Sequence, residues 1–346
     1  MKSLKIFSIM AIVVIAFIML GCEEEDQETL VVYNWGDYID QELLRQFEEE
    51  ENVRVIYQEY ATNEDLYVKL SSSLEAIDVI IPSDYMLSRL IKEGLVQKID
   101  MNNIPNLQDI NTDFMNQSCD PTGEYGVPYL WQTLGIIYNS AKFPEGINKW
   151  ADLWNPKYEK EIVLYNAQRD VLTVALSKLG YSINTSNIDE LKEAEEELLK
   201  QKEINYAYLG DEIKDVLVNE DANIGMVYSG DAGVIMSQNP NYKYVIPEEG
   251  SNMAIDFMAI PKTAKNKPLA EKFINFMTRT DVALNNTRFI MYNSPIDKVR
   301  EMLPEEITNY GLYPTEEEMK RLTIYDDMSE YNAVYNKIWT EITSGM

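Results

Sequence analysis

The stretch LVVYNWGDY, residues 30–38, is an apolar strand pattern that stops at two aromatic rings and a carboxylate. An acid-rich segment with Leu43, Leu44 and Phe47 on one helical face follows it. Strand and helix patterns then alternate along the chain: strands at 53–57 and 77–82, helices at 62–74 and 84–93. Three strand–helix pairs in succession predict an α/β fold with a parallel sheet and right-handed crossovers.

A second set of strands and helices begins near Thr133. The strand patterns cover 134–139, 161–166, 222–228, 242–246 and 253–261, and the helix patterns cover 171–179, 188–201 and 265–281. A chain of 346 residues with two such sets predicts two α/β lobes with a ligand cleft between them. The predicted division gives residues 29–134 with 258–302 to lobe 1, and residues 135–257 with 303–346 to lobe 2.

The N-terminus has the pattern of an exported protein. Lys2 and Lys5 precede an apolar run that is shorter than the ~20 residues of a membrane-spanning helix. Residues 1–21 are therefore predicted to be a signal peptide, and Leu20-Gly21-Cys22 resembles a bacterial lipobox, in which Cys22 is acylated. An ordinary cleaved signal or a signal anchor is the alternative. Residues 22–28 are predicted to be an acidic tether. The signal and the lipidation site together predict that the protein lies in the periplasm or on the outer face of the cytoplasmic membrane.

Composition excludes several classes of function. The chain has no histidine, so a histidine-based triad, metal site or proton shuttle is impossible. The formal net charge of −28 argues against nucleic acid as a partner and favours a cationic ligand or simple solubility. Neither a P-loop nor a G-x-G-x-x-G fingerprint is present, and we predict no cofactor and no metal. Cys119 has no partner if Cys22 carries lipid, and it is predicted to be a buried thiol.

Acids and rings recur where the apolar strands end, which is where open α/β sheets bind ligands. The residues in question are Trp35, Asp37, Tyr38, Ser83, Asp84, Tyr85, Tyr228, Asp231, Asp256 and Tyr292. A carboxylate binds an ammonium through a charge-assisted hydrogen bond, and a ring face packs against methylenes or a cation. A linear polyamine repeats these demands along its length. Each residue also has a simpler explanation: Asp84 as a helix cap, the rings as packing, and Asp231 and Asp256 as turn residues.

Over nearly the whole chain after residue 28, the sequence resembles the spermidine/putrescine-binding proteins of bacterial polyamine ABC transporters. The resemblance rests on the order and spacing of LVVYNWGDYID, VRVIYQEYATNEDLYVKL, DVIIPSDYMLSRLIKEGLVQKID, YGVPYLWQTLGIIYN, WADLWNPKY, LSKLGYSINT, IGMVYSGDAG and DFMAIPKTAKN. It implies a type II periplasmic-binding-protein fold, in which two lobes joined by crossing strands close on the ligand and dock on a permease.

The resemblance also implies ligand contacts, position by position. They fall on Trp35, Asp37, Tyr38, Ser83, Tyr85, Asp170, Tyr228, Asp256 and Tyr292, with Asp231 matching an acid of the putrescine-preferring branch and Asp326 as the C-terminal contact. Two positions depart from the pattern of spermidine binders. Ala254 stands where those proteins usually have tryptophan, and Asn166-Ala167 stands where they have an acid pair, so the length of the amine stays open.

We therefore hypothesise a monomeric, lipid-anchored binding subunit of a polyamine importer, which is not an enzyme and which works with ABC permease subunits in the membrane. One alternative is a family member adapted to another cationic or zwitterionic molecule, for which Arg169 would grip a carboxylate. A remote alternative is an anchored glycoside hydrolase that uses two carboxylates such as Asp37 and Asp256.

Overall fold

The structure is a computed structural model that describes residues 27–72 and 75–344. The strands are β1 (Thr29–Trp35), β2 (Arg54–Tyr60), β3 (Val79–Ile80), β4 (Val96–Gln97), β5 (Gly126–Asn139), β6 (Ile162–Tyr165), β7 (Asn205–Leu209), β8 (Ile224–Tyr228), β9 (Tyr242–Val245), β10 (Ser251–Pro261) and β11 (Leu322–Thr323). The helices are α1 (Gln41–Glu51), α2 (Asn63–Ser72), α3 (Asp84–Lys92), α4 (Gln168–Leu179), α5 (Ile188–Lys202), α6 (Ile213–Val218), α7 (Ser229–Gln238), α8 (Lys267–Met277), α9 (Thr280–Ile290), α10 (Asp297–Met302), α11 (Glu305–Thr308), α12 (Glu316–Met319) and α13 (Asn332–Thr343).

The predicted signal peptide, the lipidation site Cys22 and most of the predicted tether lie outside the described residues. Within the described ranges, no helix is both long enough and apolar enough to cross a membrane.

The start, the buried face and the end of the first helix, α1, follow from its own residues. The Asp40 carboxylate caps α1 by accepting a hydrogen bond from the Glu42 backbone N–H at 3.0 Å. Leu43, Leu44 and Phe47 are buried as the periodicity predicts, and the helix ends where Asn52 takes a positive φ of 53°. The burial of one apolar face fixes how α1 packs on the sheet.

The three N-terminal strands form the predicted parallel arrangement. Strand β1 pairs in parallel with β2 from Thr29 opposite Arg54 onward, and with β3 through Val32 opposite Val79. Strand β3 is shorter than the predicted 77–82 segment, because Pro82 has no N–H to donate to a neighbouring strand. The carboxyl ends of β1, β2 and β3 therefore meet at one edge, where Trp35 and Tyr60 are the last residues of their strands.

Two long antiparallel strands run through the middle of the molecule. Strand β10 pairs with β5 from Met253 opposite Thr133 to Ala259 opposite Gly126. The second half of β5 then pairs with β8 and β9. The sequence pattern located only the second half of β5, because all of its residues are buried and no alternation marks its start. The sheet order β2-β1-β3-β10-β5-β8-β6-β7 makes β5 and β10 the connection between two α/β halves.

The buried apolar side chains gather on both sides of this connection. One large cluster surrounds the second half of β5 with β6, β8, α4 and α5, and it includes the fully buried Trp150. Two further clusters surround β1 and β3 with the first half of β5, and they hold α1, α3 and α8. The arrangement is a two-lobe α/β fold, while the exact lobe boundaries given above stay a prediction. Cys119 is a buried free thiol, as predicted, and burial raises its pKa well above the usual range.

Helix α8 supplies a test of core packing. Phe273 is 1% exposed and its ring meets the Phe47 ring edge-on at 5.1 Å between centroids. We expect Phe273→Ala to lower the free energy of unfolding by about 3–5 kcal/mol, since it leaves a cavity between α1 and α8. Urea unfolding followed by circular dichroism measures the loss.

Phe289 in α9 provides the matched control, because its side chain is 61% exposed. Phe289→Ala should change the free energy of unfolding by less than about 0.5 kcal/mol. Equal losses for the two variants would contradict the packing described for α8.

Candidate ligand-binding site

A cavity of about 620 Å³ lies between the two halves and is lined by residues from both. Ten of the twelve side chains predicted as ligand contacts line it: Trp35, Tyr38, Ser83, Asp84, Tyr85, Asp170, Tyr228, Asp231, Asp256 and Tyr292. Most of them come from strand ends, from the loops that follow strands and helices, and from first turns of helices, which is where open α/β sheets bind ligands. Asp256 is the exception, because it lies in the middle of β10. Whether each touches a ligand stays a prediction.

Asp256 and Asp84 are the most deeply buried of these acids, each 1% exposed. Asp256 has the less complete set of hydrogen-bond donors. It sits in β10 where the register against β5 shifts, and such irregularities reorient a side chain. The Tyr38 hydroxyl donates to its Oδ2 at 2.6 Å, whereas its Oδ1 is buried without a hydrogen-bond partner among the described residues. A carboxylate oxygen left unpaired in a cavity wall is a place for a donor from a ligand.

Asp84 lies beside Asp256 and has a structural role as well. Its Oδ1 accepts from the Tyr85 N–H at 2.6 Å and its Oδ2 accepts from the Ile255 N–H at 3.1 Å, so it joins the start of α3 to β10. Burial raises the pKa of Asp84 to about 7 and that of Asp256 to about 6. The Asp256 charge contributes to the upward shift at Asp84, and the backbone N–H groups oppose it.

Asp231 begins α7 and is fully supplied with donors. Its Oδ2 accepts from the hydroxyls of Tyr165 and Tyr292, the latter at 2.9 Å. Its Oδ1 lies 3.6 Å from the Lys214 Nζ. Asp231 is thus paired with a cation of the protein itself, in contrast to Asp256.

Asp170 in the first turn of α4 has two tyrosine donors. The Tyr228 hydroxyl donates to its Oδ2, and the Tyr325 hydroxyl donates to its Oδ1 at 2.8 Å. Burial raises the pKa of Asp170, and the two hydroxyls together with the Arg169 charge counteract the rise.

Two pairs of contacting rings lie among these acids in the cavity wall. Tyr165 stacks on Tyr228 with 4.9 Å between centroids, and Tyr38 meets Tyr292 edge-on at 4.8 Å. Trp35 donates through its Nε1 to the Ile81 carbonyl at 2.8 Å, which holds its ring at the mouth of the cavity. Fixed rings with hydroxyls turned towards carboxylates leave ring faces and edges to contact a ligand.

Gly230 is required by this packing. A Cβ at position 230 would come within 1.9 Å of the Tyr292 ring, so only glycine lets α7 approach the loop that carries Tyr292. The ring contact aligns the Tyr292 hydroxyl with Asp231, one residue further along α7.

Two predicted contacts do not line the cavity. The Asp37 side chain is 75% exposed and pairs with Lys214 at 3.3 Å. Asp326 is exposed, and its backbone carbonyl accepts from the Arg169 Nη1 at 2.8 Å. The neighbouring Tyr325 is buried and reaches Asp170, so the C-terminal segment enters the site one residue earlier than expected. The structure therefore does not bring Asp37 and Asp256 together as a carboxylate pair within the cavity.

Sequence reasoning missed several residues of the cavity wall: Tyr60, Glu64, Tyr165, Asp211 and Tyr325. Tyr60 and Tyr165 end strands β2 and β6, so the strand-end rule contained the signal for both. Glu64 lies in the first turn of α2, and burial raises its pKa. Lys214 gave no signal, because its helix reads as an ordinary charged surface segment.

Arg169 is already engaged by the protein. Its Nη2 donates to Asn184 Oδ1 at 2.8 Å, its Nη1 binds the Asp326 carbonyl, and its guanidinium lies 4.4 Å from the centroid of the Tyr325 ring. Two of its nitrogens are thus not free for a bidentate carboxylate clamp. The described residues contain no cluster of three or more possible metal ligands. The cavity therefore offers acids and rings, which suit a cation with an apolar chain.

Comparison with known proteins agrees with this geometry. The family model described as bacterial extracellular solute-binding protein matches residues 42–315. The spermidine/putrescine-binding periplasmic protein of Salmonella typhimurium is 36% identical over 94% of this chain and 95% of its own length. The solved structure of a spermidine/putrescine ABC transporter protein, described as putative, from Listeria monocytogenes is 37% identical, with a TM-score of 0.89 over 92% of this chain and all of that one.

A lipoprotein of Treponema pallidum, TpPotD, is 26% identical, with a TM-score of 0.82 over 91% of this chain and 99% of its own. The match to the family model and the identity to the Salmonella protein each extend over most of the sequence. The chain therefore belongs to the family of bacterial extracellular solute-binding proteins.

Proposed function

We propose that this protein is the substrate-binding subunit of an ABC importer and that it binds a linear polyamine, putrescine or spermidine, in the cavity between its lobes. The observation that carries the proposal is the buried Asp256 carboxylate, whose Oδ1 has no partner among the described residues. No lysine or arginine of the described chain forms an ion pair with Asp256 or Asp84. A ligand ammonium would supply the missing donor and the missing positive charge.

The tyrosine wall suits the rest of such a ligand. Ring faces and edges between Asp256 and Asp170 can pack against the methylenes that separate the ammonium groups. Glu64 also lines the cavity and offers a further carboxylate, which interacts with its own backbone N–H and with the charges of Arg89 and Arg169. The Salmonella and Listeria relatives are named for spermidine and putrescine, which supports the same ligand class for this chain.

Closure of the two lobes around the ligand would be the change that the permease recognises. Contacts across the cavity already join the two halves, among them the Tyr292 hydroxyl on Asp231 and the Arg169 guanidinium 5.5 Å from the Tyr85 ring centroid. A ligand held by groups of both halves stabilises the closed arrangement over an open one, and that difference is what a membrane partner can recognise. The protein would act as a monomer, without nucleic acid and without a catalytic step.

The lipid anchor through Cys22 belongs to the same proposal. The basic, apolar and Leu-Gly-Cys segments follow the lipoprotein pattern, and the Treponema relative is itself a lipoprotein. An anchored binding protein stays close to its permease on the outer face of the cytoplasmic membrane.

The alternatives have less support. A zwitterionic ligand would need Arg169 for its carboxylate, and that guanidinium is held by Asn184, Asp326 and Tyr325. A glycoside hydrolase would need two carboxylates about 5–10 Å apart across the substrate, and Asp37 pairs with Lys214 outside the cavity wall.

Removing the charge of Asp256 tests the proposal. Asp256→Asn keeps the shape of the side chain and an acceptor for the Tyr38 hydroxyl, but it removes the counter-charge of the ammonium. We expect titration calorimetry to show binding of putrescine or spermidine by the wild type, and affinity at least about 30-fold weaker in the variant. Wild-type protein that binds a neutral sugar and no amine would refute the proposed function.

Asp120→Asn is the matched control. Asp120 is also a buried acid, at 3% exposed, but it accepts from the Tyr125 and Gly126 N–H groups away from the cavity. This variant should lower the melting temperature and leave the amine affinity within about twofold of the wild type.

The raised pKa values of Asp84 and Asp256 predict that amine affinity increases with pH. Below pH values of about 6 to 7 these carboxyls hold protons that an ammonium must displace, so binding should strengthen from pH 5.5 to 8 and release protons. Calorimetry in buffers of different ionisation enthalpy measures the protons released.

The same groups affect the ligand-free protein in the opposite sense. In the folded protein, the pKa values of Asp84 and Asp256 lie above the usual value of 3.8. Their contribution to the stability of the folded state is therefore present below pH 3.8 and is lost as the pH rises through about 6 and 7. Asp256→Asn should weaken the pH dependence both of the amine affinity and of the stability of the ligand-free protein. A wild-type affinity independent of pH between 5.5 and 8 would contradict this assignment.

Cell fractionation tests the anchor. Wild-type protein expressed with its full N-terminus is expected in the membrane fraction, and Cys22→Ser should release it to the soluble fraction or leave the precursor unprocessed. Cys119→Ser is the control, because the Cys119 thiol is buried and distant in sequence from the signal. Release by both variants would argue against lipid on Cys22.

A further inference from the structure

One lysine of the protein contacts two of the acids that line the cavity, Asp211 and Asp231. Lys214, in the short helix α6, places its Nζ 3.3 Å from Asp37, 3.6 Å from Asp231 and 3.8 Å from Asp211. Its side chain is only 15% exposed, although lysine normally keeps its ammonium in water. The three acids raise the pKa of Lys214 although burial opposes the rise, so the ammonium is charged at neutral pH.

The acids of the site are therefore unequal. Asp231 has two tyrosine hydroxyls on one oxygen and the Lys214 ammonium beside the other. Asp256 accepts from the Tyr38 hydroxyl, and the nearby Ser83 hydroxyl also lowers its pKa, but its Oδ1 has no partner of good geometry and no cation forms an ion pair with it among the described residues. The Tyr292 and Tyr38 rings, which serve these two acids, touch at 4.8 Å between centroids, so the two environments are neighbours along one wall.

We propose that Lys214 is a specificity-determining residue, an internal ammonium that takes the Asp231 subsite and so limits how many ammonium groups a ligand can place in the cavity. The inference rests on the proposed function and refines it. A ligand ammonium that approached Asp231 would meet the Lys214 charge at close range, in surroundings that screen it poorly. Such a like-charge contact selects against ligands that carry a cation at that position.

The position of Lys214 also explains why Asp37 lies outside the cavity wall. Asp37 follows β1 at a positive φ of 50°, and its exposed carboxylate turns to the lysine. Asp211 lies on the other side of the ammonium and lines the cavity next to Gly36. A single lysine thus pairs with carboxylates from both halves and offsets part of the negative charge that would attract a second ligand cation.

The test compares ligands that differ in the number of ammonium groups. Lys214→Met removes the charge and keeps the unbranched chain. We expect the variant, at pH 8, to bind putrescine or spermidine at least about tenfold more tightly than the wild type does. N-acetylputrescine has one ammonium and an uncharged amide end, so its affinity should change by less than about threefold. Competition titration measures all three ligands.

Two further variants show whether the effect passes through Asp231. Lys157→Met changes the net charge equally at an exposed site that pairs with Glu145, and it should leave all three affinities within about twofold. Adding Asp231→Asn to Lys214→Met should abolish the gain, because the vacated subsite loses its counter-charge. Lys214→Arg should behave like the wild type.

The outcomes separate the inference from the proposed function. No amine binding by the wild type would refute the proposed function itself. Amine binding by the wild type with no gain in Lys214→Met, or with an equal gain for N-acetylputrescine, would overturn the role of Lys214 alone. Equal weakening of every ligand would also overturn it, and would assign Lys214 to holding the two halves together through Asp37.

Discussion

The chemistry of the site depends on one constraint, a carboxylate that is buried before any ligand arrives. Asp256 is held at 1% exposure by strand β10, and only one of its oxygens has a donor. Burial of a charge without a partner costs free energy, and the protein limits that cost by raising the pKa towards neutrality. A bound cation pairs with the carboxylate and so offsets the free-energy cost of its burial. Affinity for a cation is thus built into the fold as an unsatisfied group on the strand that connects the two halves.

The tyrosines follow from the same constraint. A buried carboxylate needs hydrogen-bond donors. If a lysine ammonium of the protein supplied them at every acid, no carboxylate would be left to bind a cationic ligand. Hydroxyl donors from Tyr38, Tyr228 and Tyr325 stabilise Asp256 and Asp170 without neutralising them. Each ring that brings a hydroxyl also presents an apolar surface, so the acids and the wall against which methylenes pack come from the same side chains.

The fold class and most of the cavity wall could be predicted from the sequence, because both depend on patterns among residues close together in the chain. Strand ends, helix caps and apolar faces are short-range patterns, which is why Trp35, Ser83 and Asp231 could be located from their neighbours alone. Pairings between distant segments leave no local trace. The Tyr325 hydroxyl on Asp170 spans 155 positions, and the Lys214 contact with Asp37 spans 177. The sequence predicts Asp326 as the C-terminal contact and Asp37 as a ligand contact, and neither lines the cavity because such long-range contacts place both side chains elsewhere.

Those long-range contacts decide which acids are available to a ligand. In the sequence, Asp231 and Asp256 are both aspartates predicted to face a ligand, and nothing local indicates which of them has a cation as a partner. The structure makes them different, since one faces the Lys214 ammonium and the other faces a bare cavity. Ala254 and Ala167 contribute small side chains to the wall of the same cavity. The proposed limit on the number of ligand ammonium groups therefore rests on a contact between Lys214 and Asp231, which no local sequence pattern reveals.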